Sequence, residues 1–509
     1  MSSDKIDRNK KQLASKGKSN KKLNNRILFA ASELYPFIKT GGLADVACFL
    51  PLALRELGYD IRIVIPAYQS ILDQDLIIKK ETEFIVPETD NQIRVLETTL
   101  SNNFTPVYLV DAPGFFDRSG TPYQSPDHED WPDNHLRFAL FCRVIRQICQ
   151  NKAGLDWTPE LLHCNDWHTG LAPALLSQDP QHPPCIFGIH NLAYQGVYPG
   201  EAFTTLSLPE IFNTPDALEY YGSLSFIKGG LVFADKLVTV SPRYSEEITT
   251  KEYGNGLDGL LSFRRDDLSG ILNGVDYELW DPNSDPLIAQ KYSLKYLGGK
   301  EVNKQFLQSK LTLENNSDAI LLAYIGRLTD QKGCDLILNS LHHLFEDANV
   351  QLVILGQGDP EHEKSFRKAT ISYPDNMKVV FDFDETLAHQ IQASADILLM
   401  PSRFEPCGLT QLYSLRYGTI PIVHHTGGLA DTIVNTTEIS LKNQTATGFQ
   451  FYTDSSSDFL DTVERAIRLY ESSKSSWRQI MRTAMQQQFS WEDSAMQYSQ
   501  VYQDLLSPQ

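Results

Sequence analysis

After an apolar run with a strand pattern, the segment Gly326-Arg-Leu-Thr-Asp-Gln-Lys-Gly333 sets Arg327 and Lys332 on one loop. A guanidinium grips phosphate oxygens as a fork and an ammonium adds a compact point charge, so the pair can stabilise a departing nucleoside diphosphate. The plainer reading is two solvated cations at a strand end. Pro401-Ser-Arg-Phe-Glu-Pro-Cys-Gly-Leu-Thr-Gln411 also follows an apolar run, and Glu405 is its sole carboxylate. There it can accept hydrogen bonds from sugar hydroxyls, or it can cap the helix expected to begin near Gly408. Two further strand ends, His163-Cys-Asn-Asp-Trp-His168 and Gly188-Ile-His-Asn-Leu-Ala-Tyr194, supply His, Asp, Asn and Trp. Aromatic faces stack on sugars while Asp and His orient hydroxyls, although a lone strand-end His is more often structural.

The hexapeptide Thr-Gly-Gly-Leu-Ala-Asp occurs twice, at Thr40 to Asp45 and at Thr426 to Asp431, each time between a strand-like run and a helix-like segment. Paired glycines let backbone N–H groups approach a ligand, and a helix starting there presents unpaired donors and partial positive charge. Such loops suit a diphosphate or a sugar hydroxyl; they also serve as tight turns with no ligand. The repetition points to two similar halves facing each other across a cleft.

The elements that position these segments are short β-branched runs alternating with amphipathic, helix-length stretches from Asn25 onward, the pattern of parallel α/β units. The runs are Ile27 to Ala31, Ile61 to Pro66, Val107 to Asp111, Leu161 to Asn165, Cys185 to His190 and Leu237 to Ser241, then Ile320 to Ile325, Gln351 to Leu355, Val379 to Phe383, Ile397 to Pro401 and Ile420 to His424. The chemically informative residues follow their carboxyl ends, where open parallel sheets bind ligands. Loosened sequence between Ser262 and Asp285 marks an interdomain crossing, and Tyr123 to Asn134 reads as a long surface loop. Sequence after about Leu460 is helical, with Ser490 as N-cap of the last helix.

With 509 residues, 41% of them hydrophobic, the chain can build several cores. Its apolar runs are strand-length, which argues against a membrane span. The seven cysteines are scattered and form no C-x-x-C pair, reading as reduced thiols of a cytoplasmic protein. H-E-x-x-H, zinc spacings, G-x-S-x-G and the Walker motif are all missing, so neither a zinc site, a serine-hydrolase elbow nor a Walker-type ATPase is expected. The net charge of −19 includes a head, residues 1–25, that carries +6. The acidic remainder offers no footprint for nucleic acid or an anionic membrane, and the head, poor in apolar residues, reads as a disordered basic tail.

In order, Lys39 to Val46, His163 to Leu171, His190 to Gly196, Phe226-Ile-Lys-Gly-Gly230, Gly326 to Gly333, Pro401 to Tyr413 and Thr426 to Asp431 resemble the motifs of the bacterial glycogen (starch) synthases, glycosyltransferase family 5. The resemblance runs from about Arg26 to Tyr502. It implies a GT-B fold of two Rossmann-like α/β domains facing across a deep cleft: residues 26–270 on the acceptor side, 271–488 on the nucleotide-sugar side, and a helix within 489–509 returning to the first domain. It further implies transfer of glucose from ADP-glucose to the non-reducing 4-OH of an α-1,4-glucan, with retention and with neither metal nor cofactor.

By the same resemblance Arg327 and Lys332 hold the diphosphate with the Gly41 and Gly42 loop, and Glu405 positions the glucosyl hydroxyls. His190 lies beside the anomeric carbon, and Asp166 and Lys39 flank the sugar. Thr410 and Phe383 contact ribose-phosphate and adenine, Gly427 and Gly428 approach the transferred glucose, and Asp45, Trp167, His168, Asn191 and Tyr194 face the acceptor. The sequence departs from the family pattern at Asp382, Phe383 and His425, and Tyr413 stands where the wider superfamily often has a second Glu. UDP-glucose as donor, and a silent glucan-binding scaffold, are the competing readings. Oligomeric state is not legible.

Overall fold

The structure, a computed structural model, describes residues 24–507 apart from 90, 101–103, 128 and 347–348. The basic tail expected over 1–25 therefore lies, but for its last two residues, outside the described residues.

The chain forms two parallel-rich sheets, each with its own core. The first has nine strands in the order Leu268–Gly270, Lys236–Thr239, Cys185–Ile189, Leu161–Asn165, Arg26–Ala30, Asp60–Pro66, Pro106–Asp111, Gln92–Thr99, Lys80–Ile85. Its interior strands are largely apolar because helices cover both faces: in Leu161–Asn165 and Cys185–Ile189 every residue is buried, the polar His163 and Asn165 included. Ile27 pairs with Ile61 on one side and Leu161 on the other, both in parallel. Only Gln92–Thr99 runs against the others, pairing antiparallel with the edge strand Lys80–Ile85 on one side and Pro106–Asp111 on the other. The alternating, charge-rich pattern of Gln92–Thr99 and Lys80–Ile85, half exposed in Lys80–Ile85, left no apolar run to read from sequence.

The second sheet has six parallel strands in the order Met377–Val380, Val350–Leu355, Ile320–Ile325, Ile397–Met400, Ile420–His424, Phe449–Phe451. The strand expected to reach Phe383 stops at Val380. Asp382 turns its carboxylate onto the Phe383 N–H at 2.7 Å, and Asp384 caps the next helix by accepting from Leu387 N–H at 2.8 Å. These local bonds compete with the ladder and end it.

In both sheets strand order reverses direction at one point. In the first, Arg26–Ala30 and Leu161–Asn165 flank it; in the second, Ile320–Ile325 and Ile397–Met400 do. The loops leaving these four strands diverge and leave a crevice, the usual ligand position in an open parallel sheet. Those loops carry Lys39, Asp166, Arg327, Lys332 and Glu405.

The halves are joined by two adjacent crossings. Val275 N–H donates to Phe489 O at 2.8 Å and Phe489 N–H to Tyr277 Oη at 2.9 Å. Ser490 then caps the helix Trp491–Leu506. That helix packs on the helix Gly42–Glu56 and joins the first core through Tyr498 and Tyr502, with Tyr502 Oη and His163 Nδ1 2.7 Å apart. The Tyr123 to Asn134 stretch, expected on the surface, is anchored inward: Tyr123 Oη donates to the buried Glu33 at 2.5 Å. All seven cysteines are buried thiols, and no helix among the described residues is long and apolar enough to cross a membrane.

Candidate active site

Lys332 and Glu405 leave neighbouring strands of the second sheet and meet at 2.5 Å. The Lys332 loop turns back at Gly333, φ +67, where any Cβ would collide with the Pro401 carbonyl, so the two loops can close only around a glycine. Glu405 is 7% exposed and also accepts from Ser402 Oγ at 2.9 Å. It does not cap the following helix, Thr410–Tyr417, which begins with Leu409 at its N-cap. A buried carboxylate held on an ammonium is fixed in place, and its remaining oxygen can take a hydroxyl. Arg327 stays exposed and reaches across to the first sheet, donating from Nη1 to Tyr194 Oη at 2.7 Å.

On the first sheet His190 and Asp166 form a second cluster. His190 N–H donates to Asp166 Oδ1 at 2.8 Å, and His190 Nε2 lies 2.8 Å from Asn165 Oδ1. Asn165 Nδ2 is spent on Ala30 O at 3.0 Å, which leaves its oxygen to face the ring and puts the imidazole proton on Nε2. Burial pushes His190 down to about 4, so it is neutral at pH 7. Burial also pushes Asp166 up to about 7, opposed by the N–H groups of His190 and Asn191. Asp166 holds a left-handed backbone, φ 55, a strained conformation for a non-glycine residue. In that conformation its carboxylate accepts from His190 N–H.

Lys39 Nζ pairs with Asp45 Oδ1 at 2.8 Å. Burial raises the Asp45 pKa against the pull of Lys39. The pair lines an interdomain cavity with Asp276, Glu385 and Tyr413. Gly41 and Gly42 are exposed at the start of the helix Gly42–Glu56, and a Cβ on Gly42 would sit 3.5 Å from Leu409 Cδ1 across the cleft, beside Thr410. Phe383 is 63% exposed on the turn before the helix Glu385–Ser394.

Three placements differ from expectation. Trp167 and His168 offer no open face to a glucan: Trp167 packs edge-on against Phe138 and Phe226, and His168 stacks on Tyr123 at 4.6 Å. The backbone after Leu161–Asn165 turns at once into a short 3-10 helix, Trp167–Thr169, which swings these rings into the core. Asn191, half-buried, spends its side-chain oxygen on Ala193 N–H at 3.1 Å. Gly427 does not present its N–H to the cleft, because that group donates to both oxygens of Glu247 at 3.0 and 3.1 Å; Gly428 N–H bonds the Glu405 carbonyl at 3.0 Å.

The same arrangement is built on the first hexapeptide, where Thr40 N–H and Gly41 N–H donate to Glu33 Oε2 at 2.5 and 3.1 Å and Thr40 Oγ1 to Glu33 Oε1 at 2.6 Å. Both glycine loops thus hold a buried carboxylate. Glu33 and Glu247 had no part in the sequence reading, and Asn165 entered it only as one of the polar residues of His163 to His168; for the two carboxylates the one available signal was the position of Glu33 just after the first strand.

Comparison with known proteins places the chain in a family. The family model of the starch synthase catalytic domain matches residues 26–263, and that of group 1 glycosyl transferases matches 308–482. A glycogen synthase from Cellvibrio japonicus is 49% identical over 481 residues, 94% of this chain and 99% of that protein. Glycogen synthase 2 from Nitrosococcus oceani is 47% identical over 482 residues, 95% and 98% of the two chains. Among solved structures, the catalytic domain of starch synthase IV from Arabidopsis thaliana, bound to ADP and acarbose, superposes with a TM-score of 0.85 at 30% identity, covering 95% of this chain and all of that one. Likeness of this degree over nearly the full length of both partners, on a two-sheet GT-B frame, establishes that the chain belongs to the glycogen (starch) synthase family of glycosyltransferases.

Proposed function

We propose that this glycosyltransferase transfers glucose from ADP-glucose to the 4-OH at the non-reducing end of an α-1,4-glucan, with retention and without a metal. The observation that carries the reading is the Lys332 and Glu405 pair at 2.5 Å, with Arg327 on the same loop as Lys332. It joins a cation suited to a diphosphate to a carboxylate suited to a sugar. The Arabidopsis relative bound to ADP and acarbose supports both ligand classes.

In this reading Arg327 and Lys332 stabilise the charge that grows on the diphosphate as the glycosidic C1–O bond breaks. Glu405 accepts from glucosyl hydroxyls. The backbone carbonyl of His190 faces positive character at C1, and its neutral ring adds no opposing charge. The acceptor 4-OH attacks C1 from the face the phosphate leaves, and its proton passes to the departing phosphate oxygen. A double displacement would need a carboxylate nucleophile ~5 Å from a second carboxyl group. Asp166 is engaged with His190 N–H, and position 413 carries the phenol of a tyrosine in place of a carboxyl group, so neither supplies one.

The test is incorporation of labelled glucose into glycogen, with ADP-glucose and UDP-glucose compared side by side and the new linkage assigned by NMR. We expect α-1,4 product and preference for ADP-glucose. Preference for UDP-glucose would overturn the donor assignment, and no incorporation from either would favour a silent glucan-binding protein.

A further inference from the structure

We infer that Glu247 is a positioning residue for the donor side of the site, acting from the opposite domain. It sits at the end of the short helix Pro242–Glu247, which follows a strand of the first sheet, and is 6% exposed. Its carboxylate accepts from Gly427 N–H with both oxygens, from Thr426 Oγ1 at 3.2 Å and from Arg243 Nε at 3.0 Å. Two more bonds cross the cleft beside it: Arg243 N–H to Asp431 Oδ2 at 2.8 Å and Ser241 Oγ to Pro406 O at 2.7 Å.

What these bonds hold is the loop that carries Glu405. Gly428 N–H donates to the carbonyls of Glu405 and Pro406 at 3.0 and 3.1 Å. Gly427 adopts φ +44 so close to the Glu405 carbonyl that a Cβ would collide with it. Pulling Gly427 onto Glu247 therefore presses the second hexapeptide against the backbone of Glu405. The same helix also carries Tyr244, whose hydroxyl accepts from Leu192 N–H at 3.1 Å and so holds the loop bearing His190 and Tyr194. One helix touches both halves of the site. The counterpart lock, Glu33 on Thr40 and Gly41, lies wholly within the first domain. The lock on Gly427 forms only when the domains approach, so domain closure and alignment of Glu405 become one event.

This inference rests on the assignment of Glu405 to the transferred sugar. The experiment compares wild type, Glu247→Ala, Glu247→Gln and Glu405→Gln for kcat at saturating substrates, for melting temperature, and for contraction in small-angle scattering on adding ADP plus a maltooligosaccharide. Glu247→Ala is expected to lower kcat by about tenfold or more, with a smaller change in KM, and to abolish the contraction expected of wild type. Glu247→Gln, which keeps one acceptor oxygen, recovers part of both. A lowered melting temperature with wild-type kcat and wild-type contraction in Glu247→Ala would make the contact merely structural and overturn the inference. An active Glu405→Gln would instead sink the assignment on which it rests.

Discussion

Arg327 and Tyr194 join the two sheets: the Arg327 guanidinium donates to Tyr194 Oη at 2.7 Å and lies 5.7 Å from the ring centroid. Tyr194 was expected on the acceptor side and Arg327 on the diphosphate, so in the proposed reading the contact ties the two substrate faces together. It is exposed, and its worth to stability is small.

Tyr194→Phe keeps the ring and removes only the acceptor for Arg327. We expect little change in melting temperature and a rise in KM for ADP-glucose of roughly fivefold, the equivalent of one hydrogen bond of about 1 kcal/mol. Steady-state kinetics with each substrate varied in turn decides the matter. A change confined to the glucan KM would place Tyr194 on the acceptor alone.

Lys332→Ala removes a positioned cation, a loss that typically costs ~2–4 kcal/mol in the transition state. It also strands the buried Glu405 carboxylate, so the melting temperature falls with kcat. Adding Glu405→Gln is expected to restore the melting temperature and not the activity. Wild-type kcat in Lys332→Ala would refute the diphosphate role, and strictly additive melting shifts would refute the coupling.

Glu405→Gln by itself preserves shape and hydrogen-bonding reach while deleting charge. Turnover should fall by at least ~100-fold if the carboxylate works in the transition state, with an unchanged circular dichroism spectrum. Full activity at saturating ADP-glucose would leave Glu405 as an anchor for Lys332.

Asp166 gives a pH signature. Unfolded, its carboxyl loses a proton near ~3.9; folded, it keeps that proton up to about 7. Across this window the native state binds more protons, so its contribution to stability is present at acid pH and lost as pH rises to about 7. Asp166→Asn still offers an oxygen to His190 N–H and cannot ionise. Its melting temperature relative to wild type should therefore climb with pH through the window and level off above it. A difference that stays constant with pH would show that Asp166 is not held protonated.

The sequence by itself determined the two-sheet architecture and the strand ends proposed to bear the chemistry. Unbroken apolar runs such as Ile320 to Ile325 can be buried only as interior parallel strands, and in such a sheet loops at the carboxyl ends are the accessible ones. It also supplied the Arg327 and Lys332 loop and the isolated carboxylate Glu405. Tertiary structure alone decided the partners. That Lys332 lands on Glu405, that Asn165 sets the His190 tautomer, and that Trp167 turns into the core depend on strand order and on short helical turns, which one-dimensional periodicity does not encode. The glycine loops show the division most plainly. Their repetition was legible, and so was their capacity for an anion; the anions they hold, Glu33 and Glu247, come from positions seven residues before one loop and 180 before the other, brought in only by folding.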